Sequence, residues 1–371
     1  MFHSWTFEEG KMPAVISSDG PVAVTGASGY VGSHVVVALM KRGYTVHACV
    51  TDLNNPDKTK HLLALNGDDY SGHLELFSAN LLKEGSYDIP FSDCSAVLHA
   101  GTPMGYGGAN NPRQVYDGAL NGTKNVLNSV KKVGTVKRFI YTSSFSAIHH
   151  PMKPGYIFSE KDWATDNRES DPNWSSSRID EDGDMAYSMA KVECEHIAYR
   201  FAEKDGRFDA ISVCPLTVLG PLLSRVHERV YSWQWWLGRM LAGKTCERQW
   251  NALWNIVDVR DVGESQALMI ESDICKNGSR YQLSATDESG ELDVLQLQAH
   301  LQKLFPQINV GGPPEEINQI LEKYGKVYQA PLGHCDKVRE ELGLKTHAIK
   351  DTLYETGQTM IDLGLLEPAL K

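Results

Sequence analysis

The sequence predicts an α/β protein, with a doubly wound parallel sheet followed by a smaller, mainly helical C-terminal domain. Three observations carry that expectation. From Pro21 to about Cys214, short β-branched runs alternate with amphipathic helical stretches, the pattern of parallel βαβ units. A glycine-rich turn, "VTGASGYVGSH", lies between the first strand and the first helix. After Pro215 the texture changes to Trp, Leu and Arg, including "SWQWWLGRM".

The elements follow in order. "PVAVTGA" reads as a strand and Tyr30 to Lys41 as a helix. "YTVHACV", "HLELFSA" and "SAVLHAG" read as the second, third and fourth strands. A helix near Arg113–Val133 precedes the strand "KRFIYTSS". A helix around Ala186–Glu203 then leads into "FDAISVCP". A short strand, "WNIVDV", and a helix from about Asp261 return to the alternating style. The last stretch is helical, with breaks at "NVGGPPEE" and "APLGH". The expected domains are a loosely attached extension over 1–20, a dinucleotide-binding domain over 21–215 with 255–285 returning to it, and a cap from 216–254 and 286–371.

Composition narrows the classes. With 371 residues, 42% hydrophobic and 22% charged, the chain can bury a sizeable core. A formal charge of -11 argues against a nucleic-acid surface, which needs clustered Lys and Arg. Seven scattered cysteines, never spaced CxxC, suit a reducing compartment and frame neither a disulfide scaffold nor a zinc site. No apolar run approaches a membrane span. The start, "MFHSWTFEEGKMPAVISSDG", lacks a basic-then-apolar secretory pattern. A soluble cytoplasmic protein, monomer or homodimer, with no metal, membrane or nucleic-acid partner, is expected.

Two constellations carry chemistry. Gly26, Gly29 and Gly32 are spaced three apart between strand and helix. A tight turn there lets the backbone approach a pyrophosphate, met by free N–H groups and the positive end of the helix dipole. The last glycine lets helix and strand pack closely. The spacing is GxxGxxG, not the GxGxxG of the Rossmann dehydrogenase fingerprint, and a purely structural turn is the competing reading.

In "DMAYSMAKVECEHIAYRFAE", Tyr187 and Lys191 are four apart, hence one turn apart on one helix face. A lone tyrosine is a poor proton donor or acceptor near neutrality, because its ordinary pKa is about 10. An adjacent ammonium favours phenolate and brings acid–base work within reach. No other tyrosine in the chain has a lysine four residues on. Thr142, Ser143, Ser144 and Ser146 follow an apolar strand. A hydroxyl there can stabilise a developing alkoxide, or merely cap the strand end. No GxSxG elbow surrounds these serines.

With these motifs the chain resembles the extended short-chain dehydrogenase/reductases, and within them the dihydroflavonol reductase-like and cinnamoyl-CoA reductase-like carbonyl reductases. The likeness is strongest in "VTGASGYVGSHVVVALMKRGYTV", "VLHAGTPM", "NGTKNVL", "VKRFIYTSS", "YSMAK" and "VDVRDV". It implies a Rossmann domain and a hydride transfer between a nicotinamide cofactor and a carbonyl compound. It makes Tyr187 the general acid, and Lys191 the group that binds the nicotinamide ribose and supports Tyr187. The second serine of its TSS motif selects Ser144 over Ser143.

The same resemblance gives Gly26, Ser28, Gly29, Tyr30, Val31 and Gly32 to the pyrophosphate. Asn80, Leu81, Ala100, Gly101 and Thr102 would line the cofactor, as would Pro215, Thr217 and Val218. Thr51 stands where many relatives have an Arg for the 2′-phosphate of NADP, and Lys58 keeps the offset of a second phosphate-binding residue. NADP(H) is therefore favoured and NAD(H) stays open. Met104, Ser146, His149, Trp233 and Trp236 are the candidate substrate contacts, with core filling the competing role for the two tryptophans. Ala147-Ile148-His149-His150 replaces the Asn or Asp of dihydroflavonol reductases, which argues against dihydroflavonol as substrate.

The expected function is reduction of a small apolar or aromatic aldehyde or ketone by NADP(H), or the reverse oxidation. The alternatives are a nucleotide-sugar epimerase or dehydratase that retains NAD, and a non-enzymatic dinucleotide-sensing regulator. Relatives of the epimerase type carry an Asp at the end of the second strand, where this chain has Val50.

Overall fold

The structure, a computed structural model, describes residues 14–67, 69–102, 111–149, 156–164, 176–246, 254–284, 290–314 and 332–371. Its centre is a seven-stranded sheet. In chain order its strands are β1 (Val22–Thr25), β2 (Thr45–Val50), β3 (His73–Ser78), β4 (Ala96–His99), β5 (Arg138–Thr142), β7 (Asp209–Pro215) and β10 (Arg280–Leu283). The spatial order is β10-β7-β5-β4-β1-β2-β3, with every pairing parallel. Strands β1, β4, β5, β7 and β10 are buried along their whole length. That is why β1, β4, β5 and β7 read as largely apolar runs rather than alternating ones, while β10 buries Arg280 and Gln282. The chain reverses its winding between β1 and β4, and the carboxyl ends of these strands frame the crevice where such sheets bind ligands.

Helices cover both faces. On one, α1 (Tyr30–Lys41) packs with α6 (Val259–Glu271) over Val24, Val46 and Leu98. Gly263 allows the approach, since a Cβ there would lie 2.5 Å from the His34 carbonyl oxygen. On the other, α3 (Pro112–Val133) and α4 (Gly183–Asp205) pack over Val97, Phe139 and Tyr141. Ala190, Cys194, Ala198 and Ala202 form a small-residue stripe along α4 that lets it lie close. Asp182 caps the start of α4 by accepting from the Asp184 and Met185 amides, and Gly206 closes it in the left-handed conformation, φ 73°. The helix α2 (Pro56–Leu63), with Asn55 as its cap, follows β2.

A smaller lobe gathers α5 (Trp233–Leu241), α7 (Val294–Leu304) and α9 (Ile349–Asp362) around a three-stranded sheet. That sheet comprises β8 (Thr217–Leu219), β9 (Trp254–Asp258) and β11 (Glu291–Leu292). Here β9 pairs with β8, because the outer edge of β7 is already taken by β10. The return of 255–285 to the large sheet therefore begins with α6. Two short strands, β6 (Ile157–Phe158) and β12 (Leu332–Gly333), pair beside the main sheet, and α8 (Asp336–Leu342) follows them.

Residues 14–20 are docked, unlike the loose extension expected of 1–20. Val15 is fully buried, its amide donates to the Ile270 carbonyl at 2.8 Å, and its carbonyl accepts from the Tyr44 hydroxyl at 2.9 Å. An apolar residue with a partner for both backbone groups is held in place. Residues 1–13 lie outside the described residues.

Candidate active site

The glycine turn is built by exclusion of side chains. Gly26 sits at φ +64°, and a Cβ there would come within 2.6 Å of the Gly101 Cα. A Cβ on Gly32 would fall 2.2 Å from the Gly26 carbonyl oxygen, so no larger residue fits. The Gly29 amide donates to that same oxygen at 2.9 Å, and Gly29 begins α1 without any side-chain cap. The first-turn amides of Tyr30, Val31 and Gly32 have no intrahelical partner. Ser28 is partly exposed on the same turn. The Tyr30 ring turns away and its hydroxyl donates to the Gly220 carbonyl at 2.9 Å.

At the carboxyl end of β4, the chain opens into Ala100, Gly101 and Thr102, all partly exposed. The strand stops at His99, short of the "SAVLHAG" expected from sequence, because Gly101 must pass against Gly26. A pillar absent from the sequence reading holds this junction. The Thr25 hydroxyl lies 2.6 Å from His99 Nδ1 and accepts from the Gly101 amide at 3.3 Å. Burial and the nearby Lys191 ammonium push the His99 pKa down to about 3, so the ring is neutral.

Lys191 is 3% exposed, yet its ammonium is well provided for. Its Nζ donates to the Thr102 hydroxyl at 3.0 Å and the Thr142 carbonyl at 2.9 Å. It lies 5.1 Å from the centre of the Tyr141 ring and 5.7 Å from that of Tyr187. Helix α4 thus brings Tyr187 and Lys191 to the carboxyl ends of β4 and β5, with Tyr187 partly exposed. The adjacent serines diverge. Ser143 is 3% exposed and donates to Glu195 at 2.5 Å, whereas Ser144 is partly exposed and its hydroxyl accepts, among the described residues, from the Ser146 amide at 3.2 Å. Thr142 donates inward to Gln266 at 3.2 Å. Of the hydroxyls at this strand end, Ser144 and Ser146 are the ones left toward solvent.

Beyond β2, the Lys58 ammonium donates to the Thr51 hydroxyl at 2.7 Å, because the first turn of α2 folds back over the strand end. Asp52 is occupied locally, accepting from the Asn54 amide at 3.0 Å. Asn80 and Leu81 follow β3, where the Asn80 side chain accepts from the Leu82 amide and the Leu81 side chain reaches the space beside Gly101. Pro215 and Thr217 are buried at the β7–β8 junction, and the Val218 carbonyl accepts from Gln234 at 3.1 Å.

The substrate candidates separate. His149 is stacked on Phe145, with ring centres 5.4 Å apart, and burial pushes its pKa down to about 4. Trp236 is 3% exposed in the core of the smaller lobe, the placement expected of core filling. Trp233 is partly buried, edge-on to Trp254 at 5.0 Å. Met104, His150 and Trp250 lie outside the described residues. An open cleft of about 330 Å³ lined by His34, Lys41, Glu264 and His347 lies between α1 and α6, away from all of these. Among the described residues, no group of three or more His, Cys, Asp or Glu could hold a metal ion, and no helix is long and apolar enough to cross a membrane. All seven cysteines are buried, unbridged thiols.

The profile of the NAD dependent epimerase/dehydratase family matches residues 22–283, from β1 through β10. The chain belongs to this family. A cinnamoyl-CoA reductase of Medicago truncatula is 37% identical over 207 residues, covering 55% of this chain and 60% of the relative. A dihydroflavonol 4-reductase of Hordeum vulgare is 36% identical over 205 residues, covering 55% of each. The chain therefore aligns with little more than half the length of these relatives. In fold, Candida albicans Gre2, solved in complex with NADPH, superposes with a TM-score of 0.75 at 22% identity, covering 92% of this chain and 99% of that one.

Proposed function

We propose that the protein is an NADP(H)-dependent carbonyl reductase, acting on a small apolar or aromatic aldehyde or ketone and able to run in the alcohol-oxidising direction. The carrying observation is the convergence of Lys191, the Tyr187 ring and the open Ser144 hydroxyl at one strand end, beside a glycine turn that excludes side chains. The named reductases among its relatives support the same reading.

The crevice fits a dinucleotide on its own geometry. The close backbone packing that requires glycine at Gly26 and Gly32 holds the turn tight against α1, whose first-turn amides suit a pyrophosphate. Thr51 and Lys58 would hold the 2′-phosphate, and Lys191 with Thr102 the nicotinamide ribose. When bound, the cofactor supplies the hydride.

The rest is the work of side chains. The Ser144 hydroxyl donates a hydrogen bond to the carbonyl oxygen, which gains charge as the carbonyl is reduced. Tyr187 gives that oxygen its phenolic proton, completing the alcohol. The Lys191 ammonium, held by Thr102 and Thr142, stabilises the phenolate left behind.

A panel of carbonyl compounds, followed by NADPH and NADH absorbance, tests this with Tyr187→Phe as control. The variant is expected to fold, bind cofactor and lose most turnover. Full activity in Tyr187→Phe would remove the tyrosine from the mechanism. Purified protein carrying tightly held NAD, with no net cofactor turnover, would favour the epimerase class instead.

A further inference from the structure

Behind the open Ser144 lies a buried charge pair that the proposed chemistry does not use. Glu195 lies on α4, one turn beyond Lys191 and two beyond Tyr187, and is fully buried. Its Oε1 accepts from the Ser143 hydroxyl at 2.5 Å and from Arg280 Nη2 at 3.1 Å. Its Oε2 accepts from Arg280 Nε at 2.8 Å and from the Tyr199 hydroxyl at 3.0 Å. The two-pronged pairing is the strong geometry for a guanidinium and a carboxylate.

Arg280, at the start of β10 and 3% exposed, spends its remaining donors on the chain after Ser144. Nη2 donates to the Ala147 carbonyl at 2.9 Å, and Nη1 to the carbonyls of Glu160 and Asp162. Its plane lies over Trp163, 3.7 Å from the ring centre. Ser144 caps a single 3-10 turn, Phe145–Ala147, so this turn is gripped on both sides of Ser144. Helix α4 holds residue 142 through Lys191 and residue 143 through Glu195, while Arg280 holds residue 147 and is itself fixed to Glu195.

From this we infer that the Glu195–Arg280 pair is a positioning device that sets Ser144 against Tyr187. A buried ion pair contributes little net stability against an apolar replacement, whereas a misplacement of about 1 Å at reacting groups can cost on the order of 100-fold in rate. Glu195 is on the same helix as Tyr187, so the helix that carries the proton donor also fixes the turn that carries the second hydroxyl. Ser143 is the direct link between them. Its hydroxyl faces inward, which is what leaves its neighbour to face the crevice.

The inference rests on the carbonyl reductase reading, and the experiment separates the two. Ser143→Ala removes one hydroxyl from the link with little change in volume. It is expected to lower kcat by about 10- to 100-fold, leave the KM for NADPH within about twofold of wild type, and bind NADPH normally by fluorescence titration. Ser143→Thr keeps the hydroxyl and is expected to restore most of the loss. Glu195→Gln is expected to lower kcat in the same way and, by leaving Arg280 unpaired, to lower Tm as well. If Ser143→Ala and Glu195→Gln both keep wild-type kcat, with only Tm changed, the pair is structural and the inference fails. If Tyr187→Phe is fully active, the reductase reading fails first. A dead Tyr187→Phe beside an unimpaired Ser143→Ala overturns the positioning role alone.

Discussion

Replacing Lys58 with alanine probes the choice of nucleotide most directly. The Lys58 ammonium and the Thr51 hydroxyl meet at 2.7 Å just past the end of β2. Val50, rather than a carboxylate, occupies the strand end, and Asp52 accepts from the Asn54 amide. A hydrogen bond to a charged group is worth about 1.5–3 kcal/mol. The pair sits at the surface, where solvent and salt screen it, so the lower bound applies. A loss of about 1.5 kcal/mol corresponds to roughly tenfold. Lys58→Ala should therefore lower kcat/KM for NADPH by about tenfold while leaving that for NADH within about twofold. The assay is the ratio of the two efficiencies in wild type and variant, at low and at high salt. The gap should narrow as salt rises. An unchanged ratio would refute the assignment of Lys58 to the phosphate, and the remaining preference would then have to rest on Thr51.

Two further outcomes are expected. Burial pushes the pKa of His34 down to about 4 and, with neighbouring positive charge, those of His99 and His227 down to about 3. In the unfolded chain all three would titrate near 6.5, so below that pH the unfolded state binds more protons. Their contribution is fully present above about pH 6.5 and is lost as pH falls toward 4, by up to about 1.4 kcal/mol per histidine per pH unit. Urea unfolding at pH 7, 6 and 5 should show this fall, with a shallower slope in His34→Gln; a flat profile between pH 7 and 5 would contradict it. Trp236→Ala should destabilise by about 3–5 kcal/mol as a core truncation, with Trp233→Ala costing less and acting on substrate KM. Unchanged stability with an altered substrate KM in Trp236→Ala would make Trp236 a pocket residue.

What could be read in the sequence was what neighbours within a turn or a strand encode. The period of apolar runs indicated β1 to β5, β7 and the helices around them, and α1 spans Tyr30–Lys41 as its pattern requires, whereas β10, with Arg280 and Gln282 among its four residues, carries no such run. Tyr187 and Lys191 share a helix face simply by being four apart. The short helix α2 was not read as an element, although its Lys58 was singled out, because eight residues carry too little periodicity. Although the resemblance selected Ser144, tertiary structure alone showed where the other two hydroxyls of the TSS run go, Thr142 to Gln266 and Ser143 to Glu195, both partners from distant segments. It also decided that Arg280, 85 residues from Glu195, supplies the countercharge, and that Thr25 and His99, 74 apart, support the mouth of the crevice. Trp236 reads as pocket or core until α5 is seen packed against α9. Local spacing determines which side chains share a face, but the partner of a buried charge or ring is set by distant segments packing together.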